Sequence, residues 1–256
     1  MMIEERHRLI IEELKADPHI SVKELSKKLF VSEPTIRRDF TELHNRGIIT
    51  KIYGGAIINT TAAYREVPFF LRENEKSIAK SEMGRRAASM IEDGMVIMLD
   101  GSTSAYHIVP FLSRFKNLTV ITSGAKTAVA LAESNIRTFC TGGQMIIHSF
   151  SYVGKQAEDF VRSVNADILF FSCHGLDGMG RMTDNAIEEA DIRRVMFEHS
   201  AKKILLCDSS KLGKTYFYNM GNVADMDGVI SDVDVFSALE LKRSDITEKS
   251  GRSRAE

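Results

Sequence analysis

Five short runs constrain the fold of this 256-residue chain more than any other feature. They are VIMLD (96–100), LTVIT (118–122), RTFCT (137–141), DILFFS (167–172) and KILLC (203–207). Each is largely apolar and β-prone, and most run on without polar alternation, so such strands expect cover on both faces. Helix-forming stretches such as AKTAVALAES and GKQAEDFVRSV lie between most of them. Strands of this kind joined by helices imply an α/β fold with a mostly parallel sheet. No apolar run approaches the roughly 20 residues that a membrane-spanning helix needs, so no membrane partner is expected.

Residues 1–58 follow a different grammar. Ile3, Ile10 and Leu14 fall at helical spacing, and this first helix ends before Asp17-Pro18. Ser21-Val22-Lys23-Glu24 is a capping box opening a helix whose Leu25 and Leu29 share a side. Phe30-Val31 turns the chain. Ser32 is placed to cap a third helix, with Pro34 in its first turn. Ile36, Phe40 and Leu43 give i, i+4, i+7 spacing, and Gly47 after Asn45-Arg46 predicts a glycine stop. A tight hairpin follows, residues 48–53 and 56–58 flanking Gly54-Gly55. Residues 59–74 read as a linker whose Pro68, Phe69 and Phe70 predict packing, and a helix is expected from Glu75 to about Ile91. The α/β part takes 75–240, and 241–256 form a polar tail without apolar periodicity.

The formal net charge is −1, so no global basic field attracts a nucleic acid, and a local patch would have to do so. Cys140, Cys173 and Cys207 are an odd set without a CxxC pair. That argues against a disulfide framework or a zinc site and for small buried thiols in a reducing compartment. No metal or cofactor is expected. The start MMIEERHRLII has no cleavable signal pattern, which points to the cytoplasm.

With Ile36, Phe40 and Leu43 turned inward, Pro34, Arg38, Thr41 and Asn45 point the opposite way, and Thr35 and Arg37 flank them. Guanidinium, hydroxyl and amide groups on one helix face can bond phosphate oxygens or base edges. The hairpin adds Lys51 and Tyr53. From Pro34 to Lys51, Arg37, Arg38, Arg46 and Lys51 stand against Asp39 and Glu42.

Ligands of open parallel sheets bind beyond the carboxyl ends of the strands. Polar clusters follow all five runs: Asp100-Gly101-Ser102-Thr103-Ser104, Thr122-Ser123-Gly124, Thr141-Gly142-Gly143, His174-Gly175 with Asp177, and Asp208-Ser209-Ser210-Lys211. In DGSTS, glycine and small hydroxyl residues let backbone N–H groups approach an oxyanion. Lys211 could neutralise a phosphate from the other side. Pro110 should shorten or kink the helix after this turn.

The stretch VSEPTIRRDFTELHNRGIITKIYGGA resembles the N-terminal signature of the DeoR family of bacterial transcriptional regulators. The family pattern is VS-x-x-TIRRDL-x-x-L, a glycine, and a hairpin ending in GGA. Phe40 replaces the usual leucine, and the likeness extends back through VKELSKKLFVS. The resemblance implies a winged helix-turn-helix whose third helix enters the DNA major groove. Ser32, Thr35, Arg37, Arg38, Thr41, Asn45, Lys51 and Tyr53 would meet DNA. Asp39 would orient the two arginines or form an intrahelical ion pair.

Residues 75–231 resemble the DeoR sensor domain through EKSIAKSEMGRRAASMIEDGMVIMLDGSTS, TSG, TGG, SYVG near 151 and ILLCDSSKLG. This resemblance implies a fold similar to ribose-5-phosphate isomerase and a phosphorylated sugar as ligand. Carried over by motif, Asp100, Gly101, Ser102, Thr103, Ser104, Thr122, Ser123, Gly142 and Gly143 would hold it. Lys211 comes from DSSK, and Asp184 and Glu188 from the acidic positions around the Asp184-Asn185 loop. TSG departs from the usual TN-containing turn and SCHGLD from a glycine-rich version, which leaves His174 to tune this chain's own ligand.

The expected function is a DNA-binding transcriptional regulator, a repressor of sugar or related carbon metabolism whose operator affinity a phosphorylated sugar changes. It is expected to be no enzyme and to be a homo-oligomer, dimer or tetramer, because each reading head covers one half-site. The alternative is a sugar-phosphate isomerase-like enzyme carrying a DNA-binding module, with Asp100, Asp177, Asp184, Glu188 and Lys211 as acid and base. No two carboxylates stand at a recognisable catalytic spacing. The polar clusters argue against a purely architectural DNA-binding protein.

Overall fold

The computed structural model describes residues 1–17, 20–45, 48–58 and 67–241, in two compact units, Met1–Leu71 and Arg72–Glu256. Pro18, Arg46, the glycine stop at Gly47, linker residues 59–66 and tail residues 242–256 lie outside the described residues.

The first unit contains α1 (Ile3–Ala16), α2 (Val22–Leu29), α3 (Glu33–Asn45) and a hairpin of β1 (Ile49–Ile52) and β2 (Gly55–Ile58). Ser21 and Glu24 form both bonds of the capping box, at 3.2 and 2.9 Å. Ser32 Oγ accepts the Thr35 N–H at 3.3 Å at the start of α3. Ile10, Leu14, Leu25, Ile36, Phe40, Leu43 and Ile49 share one buried core. Each such side chain contributes about 1.5–3 kcal/mol by leaving water. The hairpin turns at Tyr53-Gly54, one residue before the glycine pair, with Gly54 at φ 78°. Gly55 is a strand residue opposite Ile52, and a Cβ there would lie 3.2 Å from the Ile20 carbonyl oxygen.

Within the span read as a linker, α4 (Phe69–Asn74) buries Phe69, Phe70 and Leu71. Lys76 adopts a left-handed conformation, φ 56°, and separates α4 from α5 (Ser77–Ala88).

The second unit continues β3 (Val96–Leu99), α6 (Thr103–Tyr106), β4 (Thr119–Thr122), α7 (Ala125–Glu133), β5 (Arg137–Cys140), β6 (Gln144–Ile146), β7 (Ser151–Val153), α8 (Lys155–Arg162), β8 (Ala166–Phe171), β9 (Gly175–Leu176), β10 (Arg181–Asp184), α9 (Ile187–Glu198), β11 (Ser200–Leu206), β12 (Tyr218–Asn222), β13 (Gly228–Ile230) and α10 (Val235–Ala238). The main sheet is parallel throughout, in the order β13-β11-β8-β3-β4-β5. Both faces are covered, as the apolar runs require. Met98, Ile121, Leu169, Phe171 and Leu205 join residues of α8 and α9 in one core. Ile97, Leu99, Val120, Ile168, Phe170 and Ile204 join residues of α5 and α7 in another.

α6 ends after one turn, and Pro110 sits in a separate 3-10 turn, Val109–Phe111. Beyond the main sheet lie a small sheet in the order β12-β10-β9 and the β6–β7 hairpin. One thiol departs from expectation: Cys140 is exposed, because β5 is an edge strand, while Cys173 and Cys207 are buried. Among the described residues, no helix is long and apolar enough to cross a membrane.

Candidate functional site

In α3, burial of Ile36, Phe40 and Leu43 leaves Arg37, Arg38, Thr41 and Asn45 exposed. Lys51 and Tyr53 are exposed on the hairpin. The Ser32 and Thr35 hydroxyls, 2.8 Å apart, serve the start of the helix. Arg37 reaches Glu33 at 3.5 Å. The Thr41 hydroxyl donates to the Arg37 carbonyl at 2.9 Å and accepts from Lys51 Nζ at 3.3 Å, so the hairpin is tied to α3. Arg38 has no hydrogen bond or ion pair among the described residues and projects outward.

Asp39 overturns both roles expected of it. It lies on the inner side of α3, buried, and pairs across to α1. Its carboxylate accepts Arg6 Nε at 2.6 Å and Nη2 at 2.9 Å, and lies 3.1 Å from His7 Nε2. The reason is helical geometry: Asp39 follows Ile36 by three residues and precedes Leu43 by four, which puts it beside the buried stripe.

In the second unit, β3, β4, β5, β8 and β11 run in the same direction, so the turns that follow them share one edge of the sheet. Asp100 is 1% exposed, and its oxygens accept the Ser102 N–H (3.1 Å), Ser102 Oγ (2.5 Å), the Ser172 N–H (3.1 Å) and Arg193 Nε (2.8 Å). A carboxylate offers about four such positions, so Asp100 shapes the turn and has none left for a ligand. Ser102 Oγ also caps Ala105 N–H at 3.1 Å. Thr103 and Ser104 are buried, and Lys211 Nζ lies 3.4 Å from Ser104 Oγ, 2.5 Å from Ser172 Oγ and 3.9 Å from Asp208.

Lys80 of α5 approaches the same place. It is buried and donates to the Arg72 carbonyl, and burial with the nearby Lys211 charge pushes its ammonium down to about 8. Thr122 and Ser123 are buried, and Thr122 Oγ1 accepts the Gly124 N–H at 3.0 Å. A Cβ on Gly101 would run into the Ser151 hydroxyl, and one on Gly124 would come within 3.1 Å of Gly101 Cα. Glycine therefore lets these two turns touch. Gly142 and Gly143 have φ 66° and 101°, and form the third turn.

Arg193 of α9 joins these parts. It reaches Asp100 at 2.8 Å, Asp184 at 2.6 Å and Glu189 at 3.5 Å, all four side chains being almost fully buried. Burial opposes the Arg193 charge, yet Asp184, Asp100 and Glu189 together raise its pKa. Burial pushes Asp184 up, and Arg193 with His174 outweighs it, leaving that carboxyl below its ordinary value. Asp184 also accepts the Asn185 and Ala186 N–H groups at 2.7 and 3.2 Å, and His174 Nδ1 lies 2.9 Å from it. Asp177 is engaged at its own turn with Arg181.

Glu188 needs correcting: it is exposed, and its neighbour Glu189 is the inward carboxylate. One residue turns a helix by 100°, enough to move an acid from pocket to solvent. Arg193, Glu189 and Lys80 were all missed by the motif reading. The signal for Arg193 was present: it lies within the apolar stripe Ala190, Ile192, Val195 and Met196, four residues after Glu189.

Two family models match the chain: the DeoR-like helix-turn-helix domain over residues 6–62 and the DeoR C terminal sensor domain over residues 75–233. An uncharacterized HTH-type transcriptional regulator, YulB of Bacillus subtilis (strain 168), is 32% identical over 252 residues, 96% of this chain and 97% of its own. The glycerol-3-phosphate regulon repressor of Escherichia coli (strain K12) is 27% identical over 229 residues, 89% of this chain and 90% of its own. Ribose 5-phosphate isomerase A from Methanocaldococcus jannaschii overlays 52% of this chain and 53% of its own, with a TM-score of 0.39 and 14% identity.

Proposed function

The chain belongs to the DeoR family of transcriptional regulators, and from that premise we propose that it is a repressor that binds an operator through α3 and is released by a phosphorylated sugar. One observation carries the DNA half. Asp39 anchors α3 to α1 on its inner side, while Arg37, Arg38, Thr41 and Asn45 stand exposed on the outer side. A fixed helix with free guanidinium and amide groups suits a major groove. Ser32 and Thr35 hold the helix start near the phosphate backbone, and Lys51 and Tyr53 flank the groove.

The effector half rests on Lys211 beside Ser104, with the Lys80 charge near enough to Lys211 to interact with it. Two ammonium groups beside small hydroxyl residues suit a phosphate. Gly101, Thr122, Ser123, Gly142 and Gly143 shape the walls, and Asp100 and Asp184 position them through Arg193. DNA and effector favour different arrangements, with a reciprocal coupling of about 1–3 kcal/mol. The working form is a homo-oligomer in the cytoplasm, a dimer or tetramer, with one reading head per half-site. Isomerase chemistry is not favoured, because Asp100 and Asp184 are both held on Arg193 and Glu188 faces solvent.

The test is a gel-shift titration with DNA from upstream of the chain's own gene. Arg38→Ala should weaken binding by about 1–3 kcal/mol without lowering the melting temperature. Lys211→Ala should keep operator affinity and lose the response to sugar phosphates. Unchanged DNA binding in the first variant and an unchanged effector dose–response in the second would refute the two halves separately.

A further inference from the structure

Among the described residues, a second cluster near the effector turns is left with buried polar atoms unsatisfied. Arg72 Nε and Nη2, His174 Nε2 and Glu189 Oε1 are all enclosed without a hydrogen-bond partner. They come from three places: α4, the loop between β8 and β9, and the first turn of α9. Glu189 is 2% exposed; burial pushes its carboxyl up, and Arg193, with smaller help from the Arg72 charge and the Ser149 hydroxyl, holds it below its ordinary value. A ring nitrogen of His174 and one carboxylate oxygen each of Asp184 and Glu189 lie within 4.8 Å of one another. The Tyr216 ring stands edge-on to His174, with centroids 5.9 Å apart.

Orphaned buried polar atoms cost free energy unless something fills them. What can fill these is narrow. Arg72 offers only donors. Glu189 offers only acceptors. His174 keeps Nδ1 on the Asp184 carboxylate, which makes Nδ1 the donor and leaves Nε2 as an acceptor in the neutral ring or a donor in the charged one. An anion would satisfy Arg72 and repel Glu189. A divalent cation would satisfy Glu189 and His174, but would press against Arg193, already 2.6 Å from Asp184 and 3.5 Å from Glu189. A hydroxyl group both donates and accepts, so adjacent hydroxyls match the whole set.

We propose that His174 and Glu189 form a subsite for the hydroxyl-bearing end of a polyhydroxylated effector, whose phosphate sits at Lys211 and Ser104. This deepens the effector reading above and rests on it. The geometry suits one ligand spanning both ends. Ser172 bonds Lys211, and His174 follows two residues later, so both ends share the loop after β8. His174 is therefore a specificity residue: it distinguishes a sugar phosphate from a phosphate lacking hydroxyl groups.

The experiment is calorimetric titration of the full chain with ribose 5-phosphate, hexitol phosphates, inorganic phosphate, unphosphorylated hexitol and Mn2+. The unaltered chain should prefer at least one polyhydroxylated phosphate over inorganic phosphate by about tenfold or more. His174→Ala and Glu189→Gln should each collapse that preference. Unfolding curves identify a variant that has lost its fold, and His174, less deeply buried than Glu189, is the safer of the two. A preference that survives in folded His174→Ala overturns the proposal. So does Mn2+ binding that depends on His174 and Glu189. A chain that binds unphosphorylated hexitol through His174 but no phosphate refutes the phosphate end and supports the subsite. A chain that binds none of the probes overturns both.

Discussion

Each unit of this chain ties an arginine to buried carboxylate, and the two clusters end differently. In the first, Arg6 grips Asp39 in a two-pronged pair, with His7 alongside, and the result is a helix, α3, fixed on its inner side. Its ligand would be met by other residues, on the far side of the same helix. In the second, Arg193 ties together Asp100, Asp184 and Glu189, and Glu189, His174 and the neighbouring Arg72 keep unsatisfied atoms within the protein. The same ion chemistry serves as a clamp in one place and as the frame of a buried, incompletely bonded polar cluster in the other. An external ligand asks for a rigid helix, whereas an enclosed one asks for partners held ready.

The comparison breaks most sharply at Arg193. Arg193→Met takes from three buried carboxylates their shared counterion, and should cost about 3–5 kcal/mol in chemical unfolding of the full chain. The pH dependence should also change sign. In the unaltered chain Arg193 holds Asp184 below its ordinary pKa, so that stabilisation is present at neutral pH and is lost as pH falls below about 4. In the variant that charge is gone, and burial, the largest influence on Asp184 and Glu189, outweighs their remaining partners and raises the carboxyl pKa values, so stability should improve as pH falls through them. A cost below about 1 kcal/mol would mean that Arg193 is not the frame.

Asp39→Asn sharpens the other side. Arg6 is near the surface, with 11% of its side chain exposed, and can turn to water once its partner is gone. The expected loss is smaller, about 2 kcal/mol, and should appear in unfolding of the full chain. Operator affinity should fall with it, because α3 loses its anchor while Arg37 and Arg38 stay intact. Stability loss with unchanged DNA affinity would separate the clamp from the reading of DNA.

The clamp and the frame were also unequally legible. Apolar spacing alone oriented α3, and the outward set Arg38, Thr41 and Asn45 followed from the positions of Ile36, Phe40 and Leu43. All five apolar runs became strands of the main sheet, because near-continuous apolar strands leave few alternatives. Strand β13 escaped notice because three residues, Gly-Val-Ile, show no pattern. Asp39 and Arg193 escaped for a different reason. Charged residues inside an apolar stripe pass for surface residues until their partners are known, and the partners lie 33 residues away for Arg6 and Asp39 and 93 for Arg193 and Asp100. Glu188 was chosen over Glu189 because a motif names a neighbourhood, and only the helix phase decides which acid turns inward.

Lys80 carries the smallest effect and probes the phosphate end of the frame. Its ammonium is buried 3% exposed, near Lys211, and is held down to about 8 against an ordinary value of 10.5. The folded chain therefore gives up this proton more readily than the unfolded chain does. Stability in the absence of effector should then rise by about 1 kcal/mol from about pH 7.5 to about pH 9, the unfolded state binding more protons over that window. Lys80→Met should flatten the rise. A phosphate between Lys80 and Lys211 restores the charge, so saturating effector should also flatten it, with proton uptake measurable in calorimetry near pH 8.5. A rise that persists unchanged in both cases would place the phosphate away from Lys80 and leave Lys211 as the lysine that meets it.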